Sequence, residues 1–192
     1  MHLPLNDVDA KNQPTLWFLW VQDGTTLACG ALWSVAYVLF IRKSFHDKSY
    51  GMPMLCLSTS PPAHRDGHTD DSRRCSNMAW EVVYSIFYPP GPAETIAFLP
   101  WVFIDLVLVY ATVRFGPQDW RNSPLVAGNL AIIITIGLIM MLAAHFTFAQ
   151  LFQDKSVACF WAGYACQVLV SWSAIAQLTS RGNTKGHSLT IW

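Results

Sequence analysis

Glu81 lies in CSNMAWEVVYSIFY (Cys75 to Tyr88), a segment otherwise apolar enough to enter a membrane. A carboxylate at the centre of a span costs at least ~2.5 kcal/mol, so such a residue rarely stands there by accident. On a helix, Asn77, Glu81 and Ser85 are spaced i, i+4, i+8 and share one polar stripe, and Tyr84 borders it. Trp80, Tyr84 and Tyr88 form an aromatic stripe beside it. Burial among apolar neighbours favours the neutral form of a carboxyl, the form a proton donor needs. Asn77 and Tyr84 are placed to orient such a donor by hydrogen bonds. The same spacing also suits a structural carboxyl bonded to a neighbouring helix, and periodicity does not choose between the two. A second acid, Asp105, stands in WVFIDLVLVY with Trp101, Val102, Leu108 and Val109 as its helical neighbours. It must face the interior of a helix bundle or be neutral, as a functional group or as a structural hydrogen-bonding one. His145, alone in a later apolar segment, reads as structural.

Other chemistries lack their signatures. The chain holds no GxGxxG, GxSxG, P-loop or HExxH string. Asp70 and Asp71 have no second acid at the spacing of a diphosphate-binding magnesium cluster, so a reaction without a metal or other cofactor is expected. The odd number of cysteines, 5, with no CxxC pair, points to neither a zinc site nor a disulfide framework. Cys29, Cys159 and Cys166 fall in apolar segments and read as small hydrophobes. Formal net charge is zero, which gives no reason to expect a nucleic-acid partner.

The elements that must position these groups are membrane helices. Charged residues are 12% of the chain and aromatics 14%, with 9 Trp; soluble domains carry about 25% charged residues. A bilayer is crossed by about 20 apolar residues. Four segments qualify: Thr25 to Ile41, which reaches back to Leu16 if Gln22, Asp23 and Gly24 are accommodated; Thr95 to Phe115; Pro124 to Gln150; and Val157 to Leu178. Cys75 to Tyr88 is too short alone. Joined to Met54 to Leu57 it would span, but Ser58 to Arg74 intervenes, a polar stretch with no Val, Ile, Leu, Met or aromatic residue. That insert reads either as a retained intron or as a genuine cytosolic loop. The expected fold is all-α: one membrane domain over residues 1–192, a bundle of about five transmembrane helices, with residues 58–74 as an insert. Ten of the 12 Lys and Arg residues fall on one side of this arrangement. By the positive-inside rule the N-terminus is lumenal and the C-terminus cytosolic.

Four strings then carry a resemblance: LWSVAYVLFIRKSFHDKSYGMP (Leu32 to Pro53), NMAWEVVYSIFYP (Asn77 to Pro89), RFGPQDWRNSPLVAGNL (Arg114 to Leu130) and SWSAIAQLTSRGNTKGHSLTIW (Ser171 to Trp192). Together, and in this order, they resemble the fungal integral-membrane terpene cyclases of meroterpenoid and indole-diterpene biosynthesis, the paxilline-type cyclases. The resemblance implies seven spans in the family pattern and protonation of a terminal epoxide on a prenyl chain already attached to an aromatic or polyketide unit. It implies an enzyme of the endoplasmic reticulum membrane that follows a prenyltransferase and an epoxidase and takes its lipophilic substrate from the bilayer. Glu81 matches the first of two acids important in such proteins. The second belongs beyond the GHSxxxW string, inside which this sequence stops, so the chain reads as shortened at its C-terminus; Asp105 does not match that acid by position.

On this reading Glu81 is the catalytic acid, with Asn77, Tyr84, Asp105 and Trp80 in support. Trp80, Tyr84, Tyr88, Trp101 and Trp161 would wall a dry cavity, since aromatic faces stabilise cations without trapping them. Two other readings compete. One is a non-catalytic homologue or small structural membrane protein. The other is a transporter using Glu81 and Asp105 as a proton relay, against which stands the lack of broken-helix or repeat symmetry.

Overall fold

The computed structural model describes residues 5, 7–51 and 74–191. Among them every regular element is helical: α1 (Asp7–Asn12), α2 (Leu16–Asp47), α3 (Arg74–Val82) running into a π-helical turn (Val83–Phe87), α4 (Pro92–Asp119), α5 (Pro124–Gln150) and α6 (Lys155–Arg181). Four of these helices are long and apolar enough to cross a membrane, over Leu16–Asp47, Glu94–Asp119, Pro124–Gln150 and Lys155–Arg181. They match the four apolar segments of the sequence. Their outer faces carry large apolar side chains in the open, among them Leu32, Val35, Ile132, Ile136, Ile139 and Trp172. Lipid is the medium in which such faces are stable. The protein is an all-α polytopic membrane bundle.

The ends are set by ordinary signals. Pro92 stands in the first turn of α4, where its missing N–H is not needed. The Asp154 side chain accepts from the Ser156 N–H at 2.8 Å and caps α6, which stops at Gly182 with φ 60°. The first span is longer than its apolar run. Gln22 donates to Asp9 of α1 at 2.8 Å, so the polar interruption is satisfied locally and α2 continues unbroken from Leu16.

The short α3 is the axis of the bundle. It packs against α4, α5 and α6, and Ser76 through Glu81 are all buried. Where the long helices turn one face outward, this one has every described side chain buried except Val82, which is half-buried. The expected fifth span is therefore represented by a central helix. Met54 to Leu57 and all of the insert but Arg74 lie outside the described residues.

One end of the bundle is tied by polar contacts between segments distant in sequence. Asp119 accepts from Ser49 Oγ at 2.8 Å and from Arg181 at 3.3 Å. The Arg181 guanidinium also lies 3.9 Å from the Tyr50 ring centroid, and Asp47 accepts from the Gly186 N–H at 2.8 Å. This brings the basic stretches around Lys43, Arg114 and Arg181 to the same end.

Candidate active site

At the other half of the bundle, α2, α3, α4 and α6 line an open cavity of about 530 Å³. Trp33, Tyr37, Trp80, Phe98, Trp101, Phe160 and Tyr164 give it aromatic walls, and neither Lys, Arg nor His lines it. Two walls are held by their indole N–H groups: Trp80 donates to the Cys159 carbonyl at 2.9 Å, and Trp101 to Ser34 Oγ at 3.1 Å. A buried indole needs such a partner. Phe98 packs between the two, with ring centroids 5.1 Å from Trp80 and 5.4 Å from Trp101.

Glu81 lines this cavity while being only 1% exposed. Its Oε1 accepts from the Tyr37 hydroxyl at 3.0 Å and from the Asn77 amide at 3.0 Å. Asn77 also donates to the Tyr37 oxygen at 2.7 Å and reaches Asp105 Oδ2 at 3.4 Å. Three helices thus deliver four polar side chains to one buried cluster, in which the two hydrogens of the Asn77 amide are shared among three acceptors, Asp105 at 3.4 Å being the most distant. Glu81 Oε2 has no hydrogen-bond partner among the described residues. An enclosed polar atom without a partner is costly and invites an explanation.

Of the sequence-derived residues, Asn77 and Glu81 are hydrogen-bonded at their i, i+4 spacing, Trp80 lines the same cavity as both, and Asp105 joins them from α4, a meeting that helical spacing did not specify. It does not bring Tyr84. That residue is fully buried, but its hydroxyl makes no hydrogen bond among the described residues, and its ring packs edge-on to His145, with centroids 6.2 Å apart. Tyr84 stands near the start of a π-helical turn. From Val83 the chain closes i to i+5, with Tyr88 N–H bonded to the Val83 carbonyl at 2.9 Å. Tyr84, Tyr88 and Trp161 do not line the cavity; Trp161 is 57% exposed on the outside of α6. His145 is structural, as expected: its Nε2 lies 3.1 Å from the Ser76 carbonyl oxygen and ties α5 to α3. Cys159 and Cys166 are buried in the core with free thiols, while Cys29 is exposed.

Tyr37 is the residue that sequence reasoning missed. The signal was present, because a lone phenol deep in an apolar span needs a hydrogen-bond partner. Nothing in the first span alone says that the partner is Glu81. Among the described residues no group of three His, Cys, Asp or Glu side chains is placed to hold a metal ion.

A family description, Pyr4-like transmembrane terpene cyclases, matches residues 8–61 and 72–192. The Pyr4-family terpene cyclase mfmH of Annulohypoxylon moriforme is 40% identical over 192 residues, which is 100% of this chain and 72% of that protein. Terpene cyclase macJ of Penicillium terrestre is 41% identical over 174 residues, 90% of this chain and 61% of its own length. Terpene cyclase pyr4 of Aspergillus fumigatus is 33% identical over 173 residues, 90% of this chain and 64% of its own. The chain therefore spans from 61% to 72% of these relatives. No solved structure matches. On a match that covers both the cavity-lining helices and the tied end of the bundle, the chain belongs to the Pyr4-like transmembrane terpene cyclases.

Proposed function

We propose that Glu81 protonates the terminal epoxide of a prenylated aromatic or polyketide substrate and so starts a carbocation cyclisation, with no metal. One observation supports this reading above the others: a buried carboxyl with an unpartnered oxygen stands on an aromatic-walled cavity that opens within a membrane bundle. The Glu81 O–H bond breaks as its proton passes to the epoxide oxygen. The strained C–O bond opens, its electron pair stays on oxygen as a hydroxyl, and the tertiary cation is captured by the next double bond. Loss of a proton from the last cation balances the reaction, so product and substrate are isomers. Trp33, Trp80 and Trp101 offer π faces to the migrating charge, worth about 0.5–2 kcal/mol each, and the apolar walls keep water from quenching it.

The substrate must come from reactions that attach a prenyl chain and then epoxidise it, which makes a prenyltransferase and an epoxidase the upstream partners. Membranes bearing the protein, given such an epoxide with a metal chelator present, should yield a cyclic product of unchanged mass. Activity that disappears with the chelator and returns with magnesium would contradict the reading.

Asp105 is placed one step behind Glu81, bonded through Asn77 and absent from the cavity wall. Asp105→Asn keeps an acceptor for that amide. A single hydrogen bond contributes about 1 kcal/mol, so turnover per folded protein should stay within about tenfold of the parent. A larger loss would assign Asp105 a proton-transfer role of its own.

The reading also places the protein in the endoplasmic reticulum with a lumenal N-terminus, and hence with the cavity toward the lumen. A glycosylation acceptor inserted in the 89–94 loop should be modified, and one inserted at 120–123 should not. The reverse pattern would invert the orientation.

A further inference from the structure

The two oxygens of Glu81 have different surroundings. Oε1 accepts from two donors, the Tyr37 O–H and the Asn77 N–H, each at 3.0 Å. Both of the carboxyl group's protein contacts fall on Oε1, the arrangement that suits a carbonyl oxygen, which can accept two hydrogen bonds. Oε2 has no protein partner among the described residues. The Tyr37 oxygen also lies 2.7 Å from the Asn77 amide, so Tyr37, Asn77 and Glu81 Oε1 form one closed hydrogen-bonded triangle. Its ring is 2% exposed and wedged between Trp33 and Trp101, with centroids 5.7 Å and 6.1 Å away.

From this geometry we infer that Tyr37 is a positioning residue: with Asn77 it holds Oε1 as the carbonyl oxygen and so puts the acidic hydrogen on Oε2, the oxygen with no protein partner among the described residues. When that hydrogen leaves, negative charge spreads to Oε1, and the same two donors stabilise it. The inference rests on the reading of Glu81 as the acid, and names the residue from another helix that prepares it.

An infrared measurement on the purified chain separates the two. The difference between the parent and Glu81→Gln isolates the carboxyl stretch of Glu81. Tyr37→Phe keeps the ring and removes one donor from the carbonyl oxygen, so that stretch should move to higher wavenumber. Asn77→Leu removes the other donor and should move it the same way, which serves if Tyr37→Phe does not accumulate. In turnover, Tyr37→Phe should lower kcat by about 10²-fold, the effect of a loosened reacting group, with little change in KM. A residue that only packs would lower abundance without moving the stretch. A Glu81 stretch unmoved in the variants overturns the inference, even if Glu81→Gln is inactive and the acid reading stands. A stretch that moves, in a parent protein that fails to cyclise an epoxide, supports the Tyr37 geometry and removes only the assigned reaction.

Discussion

Gly186→Val should prevent the protein from accumulating as a folded species. Gly186 has φ 78°, a conformation that costs a residue with a side chain roughly 1–2 kcal/mol. A Cβ there would stand 2.6 Å from the Gly51 Cα and 2.7 Å from the Tyr50 carbonyl oxygen. Both are backbone atoms, so no side chain can turn aside to make room, and overpacking of this kind costs about 1–3 kcal/mol more. The loss spreads beyond the two glycines. The Gly186 N–H donates to Asp47 at 2.8 Å, and the neighbouring His187 packs edge-on to Phe40, with centroids 5.8 Å apart. The contact therefore joins the end of α2 to the segment after α6. Size-exclusion chromatography of a fluorescent fusion gives the readout: a folded peak for the parent, and aggregate for Gly186→Val. Gly24→Ala is the control, because a Cβ there meets nothing within 4 Å. A normal peak for Gly186→Val would show that this end of the bundle does not depend on the close approach.

The same region explains part of what was legible in the sequence. The strings around Tyr50, Asp119 and Gly186 carried the resemblance, and they are the segments that the structure ties together through Ser49, Arg181 and Asp47. The four long spans were legible because about 20 apolar residues have few alternatives to crossing a bilayer. Glu81 and Asp105 stood out for the converse reason, since acids are expensive there. What periodicity could not supply was the change of pitch after Val82. α-Helical spacing put Tyr84 at the border of the Glu81 stripe, and in the structure its ring packs on His145. Nor could it supply Tyr37, which lies 44 residues from Glu81 in sequence and meets it only through packing between helices. The cavity walls followed the same division. Trp80 and Trp101 stand on inward faces next to the two acids, whereas Trp161 is an aromatic residue that faces outward.

Glu81 carries the proposed chemistry, and its replacement should have the largest effect on activity. Glu81→Gln keeps the length of the side chain and an oxygen for Tyr37 and Asn77, and removes the proton that can be given away. An amide also enters a membrane helix more easily than a carboxylate, so abundance should hold. Loss of a general acid typically costs 10²- to 10⁴-fold in rate. The deciding measurement is the amount of cyclic isomer formed per mole of folded protein from a terminal epoxyprenyl substrate, parent against Glu81→Gln. The account predicts a same-mass cyclic product from the parent and a yield at least about 10²-fold lower from Glu81→Gln at equal abundance. Near-equal yields from the two would contradict it.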